Sequence, residues 1–478
     1  MGTGSIQFVA FGVAVVLISN LSQSRTWRSA VLFVASIAFL CLMGQHPSAF
    51  LPLAGFLTIG FVALLLLQRG WSRAMVWSIL AVIILYVWLK KYTFLPEESF
   101  LRFPYFTLGL SYIFFRVLHL LIEAGDRTME RNIGVGEYLL YTLNFTTFIS
   151  GPIQRYDEFA RDQFSPEPLP LGPRVIGLQL ERIVLGFFKI NVLGAVLYSL
   201  EQDALVQTAQ PLPLTLKLFA VFRLIIISPF FVYANFSGYI DIVIALARLM
   251  RLRLPENFDR PFSATSFLDF WNRWHITLSN WVKNYVYNPL LMALMRRISS
   301  TALEPFLAVF CFFVTFFLVG VWHGRSSEFL FFGVLLGLGI SINKLWQVLL
   351  ARAMGGKNYK SLARNSAYRA FGRGLTFTWF ALTNIWFWLD WKQIDSVFAD
   401  LGFVQWVIVW SAVCLGATVA LEGWEHLRRA VLAIKTSDGP VLTSRYVRVV
   451  YSSALGLLAI AITVLLNQPA PEIIYKAF

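Results

Sequence analysis

The sequence predicts an all-α polytopic membrane protein, from its composition and its long apolar runs. Of 478 residues, 57% are hydrophobic and only 14% are charged, and the mean hydropathy is +0.65. A soluble protein carries about 25% charged residues, so this chain has too few to cover a surface exposed to water. An aromatic fraction of 16% fits rings that face lipid and headgroups. The composition therefore excludes a soluble cytosolic enzyme.

Apolar runs of membrane-spanning length recur along the whole chain. An α-helix rises about 1.5 Å per residue, so a hydrocarbon layer of ~30 Å needs about 20 apolar residues. Runs near that length lie at 6–22, 29–45, 49–67, 74–89, 104–124, 135–153, 175–199, 213–230, 231–250, 305–323, 329–350, 374–394, 402–421 and 447–467. Several central runs carry charged residues, which indicates tilted, broken or re-entrant helices. We expect roughly 11–14 spans.

Basic residues between the runs predict the orientation. The segment 352–373 contains six Lys or Arg and no acidic residue, and 425–448 contains five against Glu425 and Asp438. The positive-inside rule places both segments in the cytoplasm. The net charge of +14 is therefore interpreted as an orientation signal, and no nucleic-acid partner is expected. No soluble insertion or internal repeat is visible, so we expect a single membrane domain over 1–478.

Polar side chains inside apolar runs are the first candidates for function, because ionisable groups at membrane depth are costly. His119 lies one helical turn from Arg116 and Glu123, and we interpret it as part of a buried structural pair rather than a functional group. Two other histidines, His275 and His323, have more unusual sequence surroundings.

The segment 268–290 has the pattern of an interfacial helix. One apolar stripe recurs at steps of three and four residues: Trp271, Trp274, Leu278, Trp281 and Tyr285. Tryptophan on one face and bases on the other are typical of a helix lying in the membrane interface. His275 and Ser279 are one turn apart and can face the same partner. The alternative is an anchor in which this histidine has no chemical role.

The segment Gly320–Gly324 reads Gly-Val-Trp-His-Gly and ends an apolar run. The 18 residues from Pro305 to Trp322 contain no charged side chain, so His323 ends an apolar helix, at its outer end by the charge argument. Neutral imidazole is a natural general base near neutral pH, and glycines permit close approach of backbone or ligand. The alternative is a histidine that only caps the helix.

Other catalytic patterns are missing from the sequence. It contains no G-x-S-x-G nucleophile elbow and no Walker or Rossmann glycine loop, which argues against a serine hydrolase and against nucleotide hydrolysis. It has no HExxH motif and no histidine pair at i and i+4, so no metal site is expected.

Six segments occur in a characteristic order. They are Gly109–Tyr112 (GLSY), Ser150–Arg155 (SGPIQR), Ser237–Ile242 (SGYIDI), Pro255–Phe258 (PENF), Phe270–Ser279 (FWNRWHITLS) and Val319–Gly324 (VGVWHG). In this order they resemble the membrane-bound O-acyltransferase (MBOAT) family over about 105–345. The similarity is to its bacterial branch, which includes the alginate O-acetylation protein and the D-alanyl transfer protein of teichoic acid synthesis. One departure is Asn272, where the family often has a second arginine.

The resemblance implies a ring-like helical bundle with a central tunnel or funnel, in the bacterial cytoplasmic (inner) membrane. It implies transfer of an acyl group, most simply acetyl, from a cytoplasmic thioester to a hydroxyl of a secreted or cell-surface polysaccharide. The co-substrate would be acyl-CoA or an acyl carrier protein attracted by the basic segments, with no bound cofactor. Further expected partners are membrane lipid and an extracytoplasmic acyltransferase or polymer synthase complex.

The resemblance also implies site residues. His323 corresponds to the catalytic histidine and His275 to a second functional one. The remaining expected substrate-binding positions are Trp322, Trp274, Asn280, Ser279, Asp241 and Arg155. Three alternatives stay open: a relay that hands the acyl group to a separate transferase, a transporter or flippase for a lipid-linked intermediate, and a non-catalytic scaffold.

Overall fold

The computed structural model describes residues 5–44, 46–399, 401–436, 439–440 and 444–466. Its helices are α1 (Ile6–Ser19), α2 (Arg25–Met43), α3 (Leu51–Gln68), α4 (Met75–Leu89), α5 (Leu110–Gly125), α6 (Val135–Thr142), α7 (Tyr156–Gln163), α8 (Pro173–Phe188), α9 (Ala195–Thr208), α10 (Leu214–Leu249), α11 (Phe267–Trp271), α12 (Ile276–Val282), α13 (Asn288–Arg297), α14 (Glu304–His323), α15 (Ser327–Met354), α16 (Gly356–Leu362), α17 (Ser366–Thr383), α18 (Ile385–Trp388), α19 (Trp391–Phe398), α20 (Phe403–Ala433) and α21 (Arg445–Leu466).

Short elements complete the chain. Single 3₁₀ turns lie at Pro47–Phe50, Ser72–Ala74, Glu97–Ser99 and Pro261–Ser263, and π-helical turns at Lys189–Gly194 and Lys283–Tyr287. Two antiparallel strands of two residues each, β1 (Lys435–Thr436) and β2 (Gly439–Pro440), form a hairpin. The predicted all-α fold is confirmed.

Among the described residues, nine helical segments have the length and apolar composition needed to cross a membrane. They are Arg25–Met43, Pro47–Gln68, Ser72–Leu89, Pro173–Thr208, Leu214–Leu249, Glu304–His323, Ser327–Met354, Phe403–Ala433 and Arg445–Ile462. The chain is a multi-pass membrane protein. The last predicted run, 447–467, reaches one residue outside the described part, and Asp438 of the basic segment 425–448 also lies outside it.

These nine segments are fewer than the expected number of spans, and particular helices explain the difference. The runs 213–230 and 231–250 form one helix of 36 residues, α10, which continues through Pro229. Proline is tolerated in membrane helices because neighbouring groups satisfy the freed backbone. The runs 104–124 and 135–153 shorten to α5 and α6, of 16 and 8 residues. An apolar run therefore does not fix where a helix ends.

Arg116 explains the early end of α6. Its side chain is 2% exposed and donates to the carbonyl oxygens of Tyr141 (3.1 Å) and Thr142 (2.8 Å). It also donates to the carbonyl of Thr147 in the loop that follows. The last carbonyls of a helix have no partner within it, so this buried guanidinium satisfies them and holds the loop.

The packing of the chain groups its residues into two compact units, and the single membrane domain over 1–478 stays a prediction. Among the described residues, the first unit lies within 5–187 and 238–256, and the second within 188–237 and 257–466. In the first unit, α3, α4 and α5 pack against one another. The main packed pairs of the second unit are α14 with α15 and α17 with α20.

Glycines let α14 and α15 touch backbone to backbone. A Cβ on Gly320 would lie 2.1 Å from the Cα of Gly333, and one on Gly333 would lie 2.6 Å from the carbonyl oxygen of Phe317. Small residues permit such close helix crossings in membranes. Gly320 is therefore used for helix packing, and this crossing fixes the end of α14, where His323 lies.

We expect Gly320→Ala to destabilise the protein although alanine is the better helix former. Overpacking typically costs about 1–3 kcal/mol, which exceeds the helix-propensity gain of about 1 kcal/mol. The matched control is Gly416→Ala in α20, where a Cβ meets nothing within 4 Å. Thermal unfolding in detergent should show a lower midpoint for Gly320→Ala and an unchanged or higher one for Gly416→Ala. Equal stabilisation by both would contradict this packing argument.

Candidate active site

The chain breaks its helix at His275. α11 ends at Trp271 and α12 begins at Ile276, and His275 precedes α12 with φ 45° and ψ 51°. This left-handed conformation is uncommon for a residue with a side chain. The segment 268–290 therefore differs from one continuous interfacial helix, because this residue redirects the backbone between α11 and α12.

The tryptophan stripe is packed inside the second unit. Trp271, Trp274 and Trp281 are 4%, 3% and 7% exposed. The ring of Phe270 stacks on Trp274 at 5.5 Å between centroids, and Phe258 meets Trp274 edge-on at 5.1 Å. These rings contact protein, so the tryptophans of the stripe are part of the core of the second unit.

Asn257 fixes the ring of His275. Its Oδ1 accepts hydrogen bonds from the backbone N of Thr277 (3.1 Å) and from the Thr277 hydroxyl (2.9 Å), and it lies 3.2 Å from His275 Nδ1. A backbone N–H only donates, so the amide atom facing it is oxygen. His275 Nδ1 must then donate, and the lone pair of the neutral ring is on Nε2.

His275 is held neutral. The residue is fully buried. Burial lowers the pKa of His275 well below its ordinary value, and the nearby His323 lowers this pKa further. The two histidines are thus within electrostatic reach of each other, in one unit of the chain.

His323 has the same tautomer by a different contact. It is the last residue of α14 and is 5% exposed. Its Nδ1 is 2.6 Å from the carbonyl oxygen of Val319, which can only accept, so Nε2 again carries the lone pair. Phe332 and Phe387 meet the ring edge-on at 5.7 and 5.5 Å, and Trp322 at 4.8 Å. The ring orientation is therefore fixed by one hydrogen bond and by aromatic packing.

Both imidazoles offer a basic Nε2, and this decides what they can do. A neutral imidazole with Nδ1 already donating accepts a proton or a hydrogen bond at Nε2. It cannot donate from Nε2 to an oxyanion. The pair is therefore suited to take a proton from a hydroxyl group.

The other expected positions of the second unit differ in exposure. Trp322 is buried and contacts His323, whereas Ser279 is half-buried and donates to the carbonyl oxygen of Trp274 at 3.4 Å. Asn280 is exposed on α12.

Arg155 and Asp241 belong to the first unit and form ion pairs there. Arg155 lies 2.6 Å from a carboxylate oxygen of Glu123. Asp241 lies 2.9 Å from Arg182, which also binds Glu256 through two nitrogens at 2.7 and 2.6 Å. Within this unit, their observed partners are structural.

His119 fits the structural interpretation. Its Nε2 accepts a hydrogen bond from the backbone N of Tyr156 at 3.1 Å, and its Nδ1 lies 3.5 Å from Glu123. Burial lowers the pKa of His119 to about 3, and Arg155 lowers this pKa further. A neutral His119 therefore holds the first residue of α7 in place.

Asn257 is the residue that sequence reasoning missed. It appears there only within the segment Pro255–Phe258, 18 residues before His275. No local periodicity connects the two. The place of the segment Pro255–Phe258 in the ordered set of six segments was the one feature of the sequence that pointed to Asn257.

The two buried imidazoles of the second unit, His275 and His323, are the candidate active site of this helical membrane protein. Residues 56–372 match the MBOAT, membrane-bound O-acyltransferase family, and the chain belongs to this family. It is an O-acyltransferase. The predicted resemblance is confirmed, and the match extends beyond 105–345 on both sides.

Bacterial relatives are similar over different shares of the chain. A teichoic acid D-alanyltransferase of Streptococcus thermophilus is 28% identical over 77% of this chain and 90% of the relative. A peptidoglycan O-acetyltransferase of Helicobacter pylori is 27% identical over 44% of this chain and 37% of the relative. A probable alginate O-acetylase of Pseudomonas fluorescens is 27% identical over 50% of this chain and 44% of the relative. The predicted inner-membrane location is consistent with these bacterial relatives.

Proposed function

We propose that the chain transfers an acetyl group from a cytoplasmic thioester to a hydroxyl of a secreted or cell-surface polysaccharide. The observation that carries this proposal is the buried His323, whose basic Nε2 is fixed at the end of the apolar helix α14. Two of the relatives are named as O-acetylating enzymes, and the substrates in their names are peptidoglycan and alginate.

In the proposed step, His323 Nε2 takes the proton of the acceptor hydroxyl as its oxygen attacks the thioester carbonyl. The C–O bond forms, the C–S bond breaks, and the imidazolium returns the proton to the thiolate. General-base help of this kind accounts for about 10²–10⁴-fold in rate. Because His275 Nε2 also accepts, it cannot bond the same hydroxyl proton, and we assign it to orienting the acceptor by accepting from a second hydroxyl group. The oxyanion is then stabilised by a backbone N–H or by Asn280.

The donor in this proposal is acyl-CoA or an acyl carrier protein, both of them acidic. The basic segment 352–373 supports a cytoplasmic donor, because exposed Lys357, Lys360 and Arg364 favour anionic partners at that face. A relay is the variant of the same chemistry, in which the acceptor hydroxyl belongs to a separate extracytoplasmic transferase or to a polymer synthase complex.

A second candidate function is D-alanyl transfer. It is favoured by the match that covers 90% of the Streptococcus thermophilus D-alanyltransferase. The same general-base step would serve it, since only the acyl group and its carrier change.

The testing experiment compares donors on the purified protein in liposomes. Labelled acetyl-CoA, an acetylated carrier protein and a D-alanylated carrier protein are supplied outside or inside, and labelled polysaccharide, labelled protein and free acid are measured. Transfer from an acetyl thioester supports the proposal, and transfer of D-alanine alone supports the second candidate. If no donor gave acyl transfer or thioester hydrolysis, both candidate functions would be contradicted. A transporter or a scaffold would then be favoured.

A further inference from the structure

A groove opens in the second unit between α15, α17 and α20. Its volume is about 560 Å³, which lies within the range of roughly 300–1,000 Å³ found for small-molecule sites. Its wall is mainly aromatic and apolar, formed by Phe267, Trp346, Tyr368, Phe371, Trp379 and Trp410. The residues that line the groove do not include those that contact the two histidines. Asn257 contacts His275, and the contacts of His323 are Val319, Trp322, Phe332 and Phe387.

The outer rim of this groove faces the apolar surroundings of the protein. Ile342, Phe371 and Leu375 line it and are 55%, 50% and 36% exposed. Exposed apolar side chains on membrane helices contact lipid chains. An apolar chain can therefore move into the groove from the bilayer without crossing water.

One end of the groove is polar and positively charged. Arg369 lines it, and the indole N–H of Trp346 lies 3.1 Å from the hydroxyl of Tyr368. Tryptophan and tyrosine with such polar contacts favour the headgroup level of a membrane. The groove thus has an apolar body and a polar end, as an amphiphile does.

Further bases lie near Arg369 in the sequence, and within the described residues none of them forms a salt bridge. Lys357, Lys360, Arg364 and Arg369 are exposed, and no carboxylate pairs with them in the described part of the chain. The positive-inside rule predicts that this segment is cytoplasmic. The cytoplasmic leaflet carries anionic lipids that attract such juxtamembrane bases.

We propose that this groove binds one anionic phospholipid of the cytoplasmic leaflet. An acyl chain lies against Phe267 and Trp379, and the phosphate receives charge-assisted hydrogen bonds from Arg369. A folded acidic carrier protein could contact the exposed bases, but it cannot enter a concave apolar groove. The shape of the site therefore favours lipid over protein.

The test is lipid binding by the full-length purified protein after delipidation, with phosphatidylglycerol and phosphatidylcholine compared by native mass spectrometry. The parent protein should bind phosphatidylglycerol more tightly. Arg369→Gln should weaken phosphatidylglycerol binding about tenfold or more, the usual effect of losing a charged hydrogen bond, and leave phosphatidylcholine nearly unchanged. The matched control is Arg296→Gln on α13, an exposed arginine outside the groove, which should behave as the parent.

A groove-filling variant tests the apolar part. Ala363 lines the groove and is exposed, so Ala363→Phe should reduce binding of both lipids without disturbing the core. Equal binding of the two lipids by the parent, or unchanged phosphatidylglycerol binding in Arg369→Gln or Ala363→Phe, would overturn the proposal. Loss of carrier-protein binding but not of phosphatidylglycerol binding in Arg369→Gln would also overturn it and assign the bases to protein docking.

Discussion

His323→Ala should reduce acyl transfer by about 10²–10⁴-fold, the usual range for loss of a general base. The imidazole supplies a basic nitrogen in a fixed position at the end of α14, and the methyl group of alanine supplies none. Transfer of label to the acceptor is measured in liposomes with protein of verified insertion. The thermal midpoint is recorded alongside, because the alternative role of His323 is to cap its helix.

The matched control for this variant is His426→Ala in α20. His426 Nδ1 lies 2.9 Å from the carbonyl oxygen of Glu422, the same bond to residue i−4 that His323 makes to Val319, but the His426 side chain is 65% exposed. His426→Ala therefore removes the same type of hydrogen bond to the backbone but leaves the buried imidazole of His323 in place. Equal activity in the two variants would show that His323 is not the base. If His323→Ala lost much stability but its folded fraction kept full activity, the role of His323 would be to cap its helix.

Much of the fold could be predicted because apolar run length and helix length are linked by the thickness of the bilayer. The run Pro305–Trp322 predicts α14 to within one residue at each end. The prediction holds because no charged side chain interrupts that run.

Prediction from sequence was less successful where tertiary contacts end a helix. Periodicity alone predicts a single helix over 268–290, since the tryptophans of this segment recur at helical spacing. The structure places His275 in a left-handed conformation instead, and the hydrogen bonds that Thr277 donates to Asn257 hold the start of α12. Arg116 similarly ends α6 through carbonyls about 25–31 residues away. Such contacts join residues distant in sequence, so no local pattern contains them.

Asn257→Asp should move the pH dependence of acyl transfer. A carboxylate at this position still accepts from Thr277 and from His275 Nδ1, so the tautomer is kept. Its negative charge favours the protonated imidazole and raises the pKa of His275, typically by about 1–3 units for a close opposite charge. If His275 must be neutral to orient the acceptor, the acidic limb of the rate profile moves to higher pH by a similar amount.

A second substitution and a control separate this effect from simple destabilisation. Asn257→Leu leaves the buried Thr277 N–H without its acceptor, which costs about 1–3 kcal/mol, and frees the His275 ring, for which we expect about a 10²-fold loss of rate. Asn144 is the matched control: its Oδ1 accepts from the backbone N (3.1 Å) and hydroxyl (2.9 Å) of Thr146, as Asn257 does from Thr277, but without a histidine. Asn144→Asp should therefore change stability alone. An unshifted profile in Asn257→Asp would mean that the protonation state of His275 does not enter the reaction, and His323 would then act without it.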